Sequence, residues 1–354
     1  MRTVVTLVST LLCGLASAQY VSPAHHARAE GLSNNVFPFG NTTVPFRFSQ
    51  LHDDIPAMTV TSMTFRHNLA TVTYASHSVT CDGWMSTALT ASGSASTTFD
   101  NNHGTDKLQV IVNRTYNHPA SDPRCAPGDW LLSYPLDVPF TFAGSPGTLC
   151  WEVQVTAKTQ TSSVTHDAFS TSTNPSLQVG RGGVGCIATG RTTAMSATGT
   201  STMTWASGTG TLTFNGTNGP ANAAAFHVLG TDKNSWFGLP LPFELPGTNS
   251  APSGSCYIYT DVLTSFPVVA SATGALTNAV PVPATQNLHG LATLSQYWCL
   301  DSAANSWGIV TSPVVPHAWV APPPAAVACR VYLSGSLGLT GTFSTSSWLI
   351  TQFN

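Results

Sequence analysis

Charge is what this chain has least of. Asp, Glu, Lys and Arg make up 8% of its 354 residues, against about a quarter in ordinary soluble domains. Lysine occurs only at positions 107, 158 and 233, and glutamate only at 30, 152 and 244. No basic stripe is present to neutralise phosphates, which excludes nucleic acid as a partner. The three glutamates fall in three different segments, so no sequence-adjacent carboxylate pair of the kind a glycosidase needs stands out. A G-x-S-x-G nucleophile elbow, an H-E-x-x-H zinc helix and a C-x-x-C pair are all missing. Beyond the N-terminus no stretch reaches 18 unbroken apolar residues, so a helical membrane anchor is not expected in the mature chain.

The first twenty residues, "MRTVVTLVSTLLCGLASAQY", have one arginine, an apolar run from Val4 to Leu15 and then Ala16-Ser17-Ala18. This is the layout of a secretory signal cut between Ala18 and Gln19, which places the mature protein outside the cell or on its surface. A lipid-modified Cys13 is the alternative, and Leu12 argues against it. Loss of Arg2 leaves eleven basic against fifteen acidic side chains, a formal charge of about −4. Seven cysteines remain: Cys81, Cys125, Cys150, Cys186, Cys256, Cys299 and Cys329. In an exported protein all seven are candidate disulfide partners, and the odd count leaves one over.

What the chain has in quantity is Ser, Thr, Gly, Pro and Ala, with 42% hydrophobic residues and nine Trp, enough to fold. Its recurring pattern has period two. In "LCWEVQV", Leu149, Trp151, Val153 and Val155 alternate with Cys150, Glu152 and Gln154, as on a strand. Similar runs stand at 108–112, 211–214, 256–262 and 348–353, each bounded by turn residues. Only 221–230 offers a helix candidate, and it suits a strand equally well. The expected fold is all-β: two antiparallel β-sandwich domains of jelly-roll or Ig-like type in tandem, 19–178 and 179–354, with a boundary near 171–183.

"DNNHGTDK" at 100–107 alternates oxygen ligands at Asp100, Asn102 and Asp106, the pattern of a loop around a hard cation such as Ca2+. The same letters make an ordinary turn, and the run lacks the closing glutamate of a helical calcium loop; the turn reading is preferred. Glu152, inside an apolar strand, is expected on the wet face of a half-exposed sheet. His25-His26 are expected in a solvated N-terminal tail. His52-Asp53 and His166-Asp167 are neighbours on strands and so face opposite ways. Asp129, Asp137 and Asp301 read as caps of bends. Trp84, Trp130, Trp236 and Trp307 adjoin turn residues and are the candidates for stacking on sugars, although large rings are mostly packed away.

The pieces "EGLSNNVFPFG", "FRFSQLH", "MTFRHN", "FDNNHGTD" and "YPLDVPFTF" leading to "GTLCWEVQV" resemble the N-terminal β-rich domain of a group of exported, mostly uncharacterised proteins of planctomycetes and related bacteria. "GRGGVGC", "HVLG", "FGLPLPFEL", "GSCYIYTDV" and "LHGLATLSQYWCLD" resemble the Ig-like module that follows it. The resemblance spans most of residues 30–315 and implies an architecture and a compartment but no reaction. With it come two expected bridges: Cys186 to Cys256 within the module, and Cys299 to Cys329 tying down a tail at 321–354 that departs from the group's pattern.

These residues favour a secreted, non-catalytic structural or adhesion-type protein with no catalytic residues and no resident cofactor. Its partners would be extracellular polysaccharide or other surface proteins. A carbohydrate-binding protein using the four tryptophans is the first alternative. A hydrolase with an unfamiliar site is the second, and it would need a buried, perturbed carboxylate or histidine beside a pocket.

Overall fold

A computed structural model describes residues 19–27, 31, 33–68, 74–121, 128–170, 177–179, 182–245, 256–288, 291–319 and 326–354. Residues 1–18, with Cys13, and Cys125 lie outside the described residues. The chain is all-β, built from antiparallel sheets. Among the described residues no helix is long and apolar enough to cross a membrane.

The first strands are β1 (Tyr20–Ser22), β2 (Ser33–Asn35), β3 (Phe46–His52), β4 (Met58–Phe65) and β5 (His77–Thr87). They are followed by β6 (Leu108–His118), β7 (Leu132–Phe142), β8 (Leu149–Lys158) and β9 (His166–Ser170). A second set begins with β10 (Leu177–Val179), β11 (Ser196–Thr204), β12 (Thr209–Thr217) and β13 (Ala224–Gly230). Four two-residue strands follow: β14 (Ser235–Trp236), β15 (Leu239–Pro240), β16 (Phe243–Glu244) and β17 (Tyr257–Ile258). The set ends with β18 (Thr264–Val269), β19 (Leu276–Pro283), β20 (Ala292–Leu300), β21 (Ile309–Thr311) and β22 (Val315–Trp319). Last come β23 (Ala328–Ser334), β24 (Thr342–Ser344), β25 (Ser347–Leu349) and β26 (Thr351–Phe353).

These last strands do not stay with the second set. β23 pairs with β3, β25 with β9, and β26 with both β1 and β4. The first unit is therefore a sandwich of two sheets, ordered β24-β23-β3-β8-β5-β6 and β1-β26-β4-β7, flanked by β2-β9-β25. Its core holds Phe46, Phe48, Phe65, Tyr134, Trp151, Val153 and Phe353. The second unit packs β10-β22-β20-β13-β18 and β11-β12-β19 around Leu212, Phe214, Tyr297, Val315 and Trp319. It is set between β9 and β23 of the first. The expected division, with 179–354 as one domain and its tail bound to the second unit, differs from this pairing at residues 328–353. The tail's alternating apolar residues complete the first core.

The period-two reading of β8 holds residue by residue. Leu149, Trp151, Val153 and Val155 enter the core, and Cys150, Glu152 and Gln154 face outward. The helix candidate at 221–230 is the strand β13. Gln50, on the core side of β3, pairs its amide with a backbone 299 residues away: Nε2 donates to the Leu349 carbonyl at 2.9 Å, and Oε1 accepts from the Leu349 N–H at 3.0 Å. Trp151 Nε1 donates to His52 Nε2 at 3.1 Å, leaving His52 Nδ1 to donate to Ser22 Oγ at 2.7 Å. Ser22 of β1 and Leu349 of β25 are both fixed to β3 in this way.

Among the described residues one disulfide, Cys186–Cys256, is formed, with Cα atoms 4.7 Å apart. The expected Cys299–Cys329 bridge is not: Cys299 lies in the second core, Cys329 in a small cluster of the first, and both are buried free thiols, as are Cys81 and Cys150. Cys150 and Cys329 both register with Leu51, on the strands either side of β3. Two strand spacings put them about 9 to 10 Å apart, beyond the about 7 Å a disulfide can span.

Histidine is a core residue here. His26, expected in a solvated tail, is fully buried, with its ring 5.5 Å from that of Phe169. His67, His77, His118 and His166 gather at one end of the first sandwich, with ring centroids 5.2 to 6.4 Å apart along the series. Burial pushes His52 and His118 down to about 3, and His67 and His227 to about 4. The unfolded chain titrates near 6.5, so it binds these protons first. The stability they contribute is complete above about pH 6.5 and is lost as pH falls toward 4. Each group can contribute a slope of up to about 1.4 kcal/mol per pH unit in that window. Urea titrations at a series of pH values are expected to show a steep fall in unfolding free energy from pH 6.5 to 4, and a flat profile would contradict it.

Candidate functional site

Two places bring chemistry-bearing residues together: a charged network under the first unit's outer face, and an aromatic face on the second unit. The loop 88–107 joins β5 to β6, but it is more than a bend. It folds back over the outward side of β3, β8 and β5, with a 3-10 turn at Phe99–Asn102. Gly104 makes the close approach, since a Cβ there would run into the Thr87 carbonyl oxygen.

Under this cover Arg47 Nε donates to Glu152 Oε1 at 2.8 Å and Nη2 to Asp100 Oδ1 at 3.1 Å. Lys107 Nζ reaches the same Asp100 oxygen at 2.9 Å. The Arg47 guanidinium lies 4.4 Å above the Phe99 ring. His103 bridges Ser86 Oγ through Nδ1 at 2.7 Å and Glu152 Oε2 through Nε2 at 3.2 Å. Glu152 is 1% exposed, so the wet-face expectation is overturned. The strand pattern shows which way Glu152 points, but not that a loop fifty residues earlier covers it.

Ser86, His103 and Glu152 thus stand in the order nucleophile, base, acid, an arrangement that looks catalytic. Its electrostatics oppose that role. Burial alone would lower His103, but its contacts with Cys150 and Glu152 outweigh this and hold it up at about 9. Burial would raise the Glu152 carboxyl, and His103 and Arg47 reverse this, leaving it below the ordinary value. At neutral pH the ring is an imidazolium that donates from both nitrogens and has no lone pair to take a serine proton. Ser86 is fully buried. The network is a satisfied ionic pin that holds the loop on the sheet.

The calcium candidates are spent on protein groups. Asp100 takes Arg47 and Lys107. Asn102 accepts from Ser96 N at 2.7 Å and donates to Ser96 O at 2.9 Å. Asp106 accepts from Thr87 N with both oxygens, at 3.0 and 3.1 Å. They face four different residues. Among the described residues no group of three or more His, Cys, Asp or Glu is placed to hold a metal ion. Of the expected bend caps, Asp301 accepts from Thr189 N, whereas Asp137 lies within β7 and accepts from Val112 N of β6 and Asp129 is paired with Lys233.

The four candidate tryptophans do not form one surface. Trp84 is half-buried with Lys107 Nζ 5.7 Å from its ring, and Trp130 is half-buried beneath the Arg66 guanidinium at 4.7 Å. Trp307 is 45% exposed beside Phe243. Trp236 is half-buried against Trp298, at 5.3 Å, and belongs to a larger surface. On the outer side of the second unit's main sheet, Trp298 is cross-strand from Phe226 and Phe226 from Pro267. Phe226, Leu300 and Val269 are exposed there. Strands β13, β18 and β20 and the hairpin 235–240 contain no Asp, Glu, Lys or Arg.

Phe237 caps this surface. The turn Trp236-Phe237-Gly238-Leu239 joins β14 to β15 with φ +47 at Phe237 and +84 at Gly238, a tight hairpin whose first central position favours Asn or Asp. A phenylalanine in the left-handed region costs roughly 1–2 kcal/mol. Its ring is also 93% exposed, 6.1 Å from Trp236. In the sequence it stands in the string "WFGL", which becomes a hairpin only where β14 and β15 pair. No protein-family model, curated protein or solved structure matches the chain.

If the network is a pin, Glu152→Gln leaves His103 without a countercharge and Arg47 with Asp100 alone, and should cost about 3 kcal/mol or more in a denaturant titration. His103 adds a pH signature: raised when folded, its contribution is present below about pH 6.5 and fades as pH rises through 9. A serine-directed fluorophosphonate probe is expected to leave Ser86 unlabelled in the folded protein, and labelling would show a working nucleophile.

Proposed function

We propose that this is an exported, non-catalytic protein of the cell surface or extracellular matrix, which adheres to neutral polysaccharide through the aromatic face of its second unit. The observation that carries this reading is Phe237, held outward in a costly backbone conformation beside Trp236, Trp298 and Phe226 on a face without ionisable groups. Flat rings stack on the C–H faces of sugar rings, and a charge-free surface suits a polymer without charge. The alternating Ser and Thr of β11 and β12 leave the rest of the unit well solvated. The secretory leader and the resemblance to exported two-domain proteins support the compartment. The closed Ser86–His103–Glu152 network supports a role without catalysis.

Pull-down of the purified protein with insoluble neutral glucans tests this. Phe237→Ala and Trp298→Ala are each expected to weaken retention about tenfold or more, the scale of one large apolar side chain no longer buried at an interface. Phe237→Ala should leave the melting temperature unchanged or slightly higher. Retention is expected to be the same at low and molar salt, because no ion pair forms it. Salt-sensitive retention, or retention indifferent to both substitutions, would refute the reading.

A further inference from the structure

A cavity of about 520 Å³ lies where the two units meet. The first unit contributes Ala27, Arg66, Gly128, Asp129 and Trp130, and the second the stretch Thr231–Asn234 with Ala292 and Leu294. Its size falls in the range of small-molecule sites, about 300–1,000 Å³. The aromatic face lies on other residues, so this place is independent of it.

The lining is built in two layers. Arg66 forms the back: its Nε donates to Asp167 Oδ2 at 2.5 Å, its Nη2 to the His26 carbonyl at 3.1 Å, and its guanidinium lies on the Trp130 ring. These contacts fix both Arg66 and the indole. At the rim Lys233 Nζ meets Asp129 Oδ1 at 2.8 Å, an ion pair that joins the two units. Asp232 Oδ1 accepts from Asn234 N at 2.8 Å, which orders the 231–234 turn. Ala27, Ala292 and Leu294 add apolar patches.

This inventory discriminates among ligands. An anion would need uncommitted positive charge, and both cations already face carboxylates. A carboxylate has about four acceptor positions, and the Lys233 contact uses one of Asp129's. Asp129, Asp232 and the Asn234 amide are therefore placed to take hydroxyl donors while an indole and small aliphatic groups meet C–H surfaces. That combination of polar edge and apolar face belongs to a pyranose.

We infer that the cleft between the units is a binding site for a soluble, uncharged saccharide of one or two rings, oriented by Asp129, Asp232 and Asn234 against Trp130. Occupancy would bridge the two units beside the Lys233–Asp129 pair.

The test uses the full mature chain with its disulfide intact. Glucose, galactose, mannose, cellobiose and maltose are titrated while tryptophan emission and calorimetric heat are followed, with sulfate and glucuronate as charged probes. At least one neutral sugar is expected to saturate at millimolar concentration or below. Asp129→Asn and Trp130→Phe are each expected to weaken it about tenfold, the loss of a charge-assisted hydrogen bond or of a shaped contact. Asn234→Ala, at an exposed side chain, should weaken it without lowering thermal stability. Phe237→Ala should leave it unchanged, which separates this site from the aromatic face. The inference is overturned if none of the five sugars saturates, if sulfate or glucuronate binds in their place, or if binding ignores the Asp129, Trp130 and Asn234 substitutions.

Discussion

Two hydrogen bonds between the Gln50 side chain and the Leu349 backbone join the third strand of the chain to its end. An amide buried in an apolar core costs free energy unless all its bonds are made, and here a returning main chain makes them. β23 lies on β3 in the same sheet, with Ala328 opposite His52 and Ser334 opposite Phe46, while β26 bridges β1 and β4 in the other. The first sandwich is complete only when the last 29 residues are in place. It follows that the second unit leaves from β9 and returns at β23, tethered at both ends to one body. That double tether, with the Lys233–Asp129 pair, sets the cleft between the units and leaves the aromatic face on the outside.

The second theme is where a chain so poor in charge keeps the charge it has. Part of it is inside. Arg47, Glu152 and His103 are buried together, and Arg66 is paired with Asp167 in the same unit. Removing one partner of such a pair leaves a stranded charge, so these networks dictate which segment covers which sheet more than they add net stability. Neutral imidazoles fill other interior positions, where they pack like aromatic rings. The outside carries mostly hydroxyls and a few apolar groups, with scattered ion pairs such as Asp100–Lys107, Arg114–Asp137 and Asp129–Lys233.

How much of this the sequence disclosed depends on the distance over which each feature is decided. The alternation in 149–155 fixed which side chains of β8 enter the core, because that is a property of consecutive residues. The strand at 348–353 was legible for the same reason, but its partners were not: pairing β26 with β1 and β4 depends on register between segments some 290 residues or more apart. Glu152 shows the limit most sharply. Its direction was readable, and its burial was not, since the cover comes from 88–107 and the countercharge from Arg47 on another strand. In "DNNHGTDK" Gly104 and Asp106 set the path of the loop, yet Asp100 and His103 serve an ionic pin that no local string reveals. Of the tryptophans, neighbouring turn residues marked Trp307 correctly as exposed. They gave no hint of Phe237, whose exposure follows from a hairpin seen only when β14 and β15 pair.

Amide hydrogen exchange resolved along the chain, compared between the full mature protein and one ending at residue 325, addresses the closure of the first sandwich by the C-terminal strands most directly. With residues 326–354 gone, protection is predicted to collapse across β3, β8 and β4 while β11, β12 and β19 of the second unit keep theirs. Full protection of β3 and β8 in the shortened chain would contradict the account.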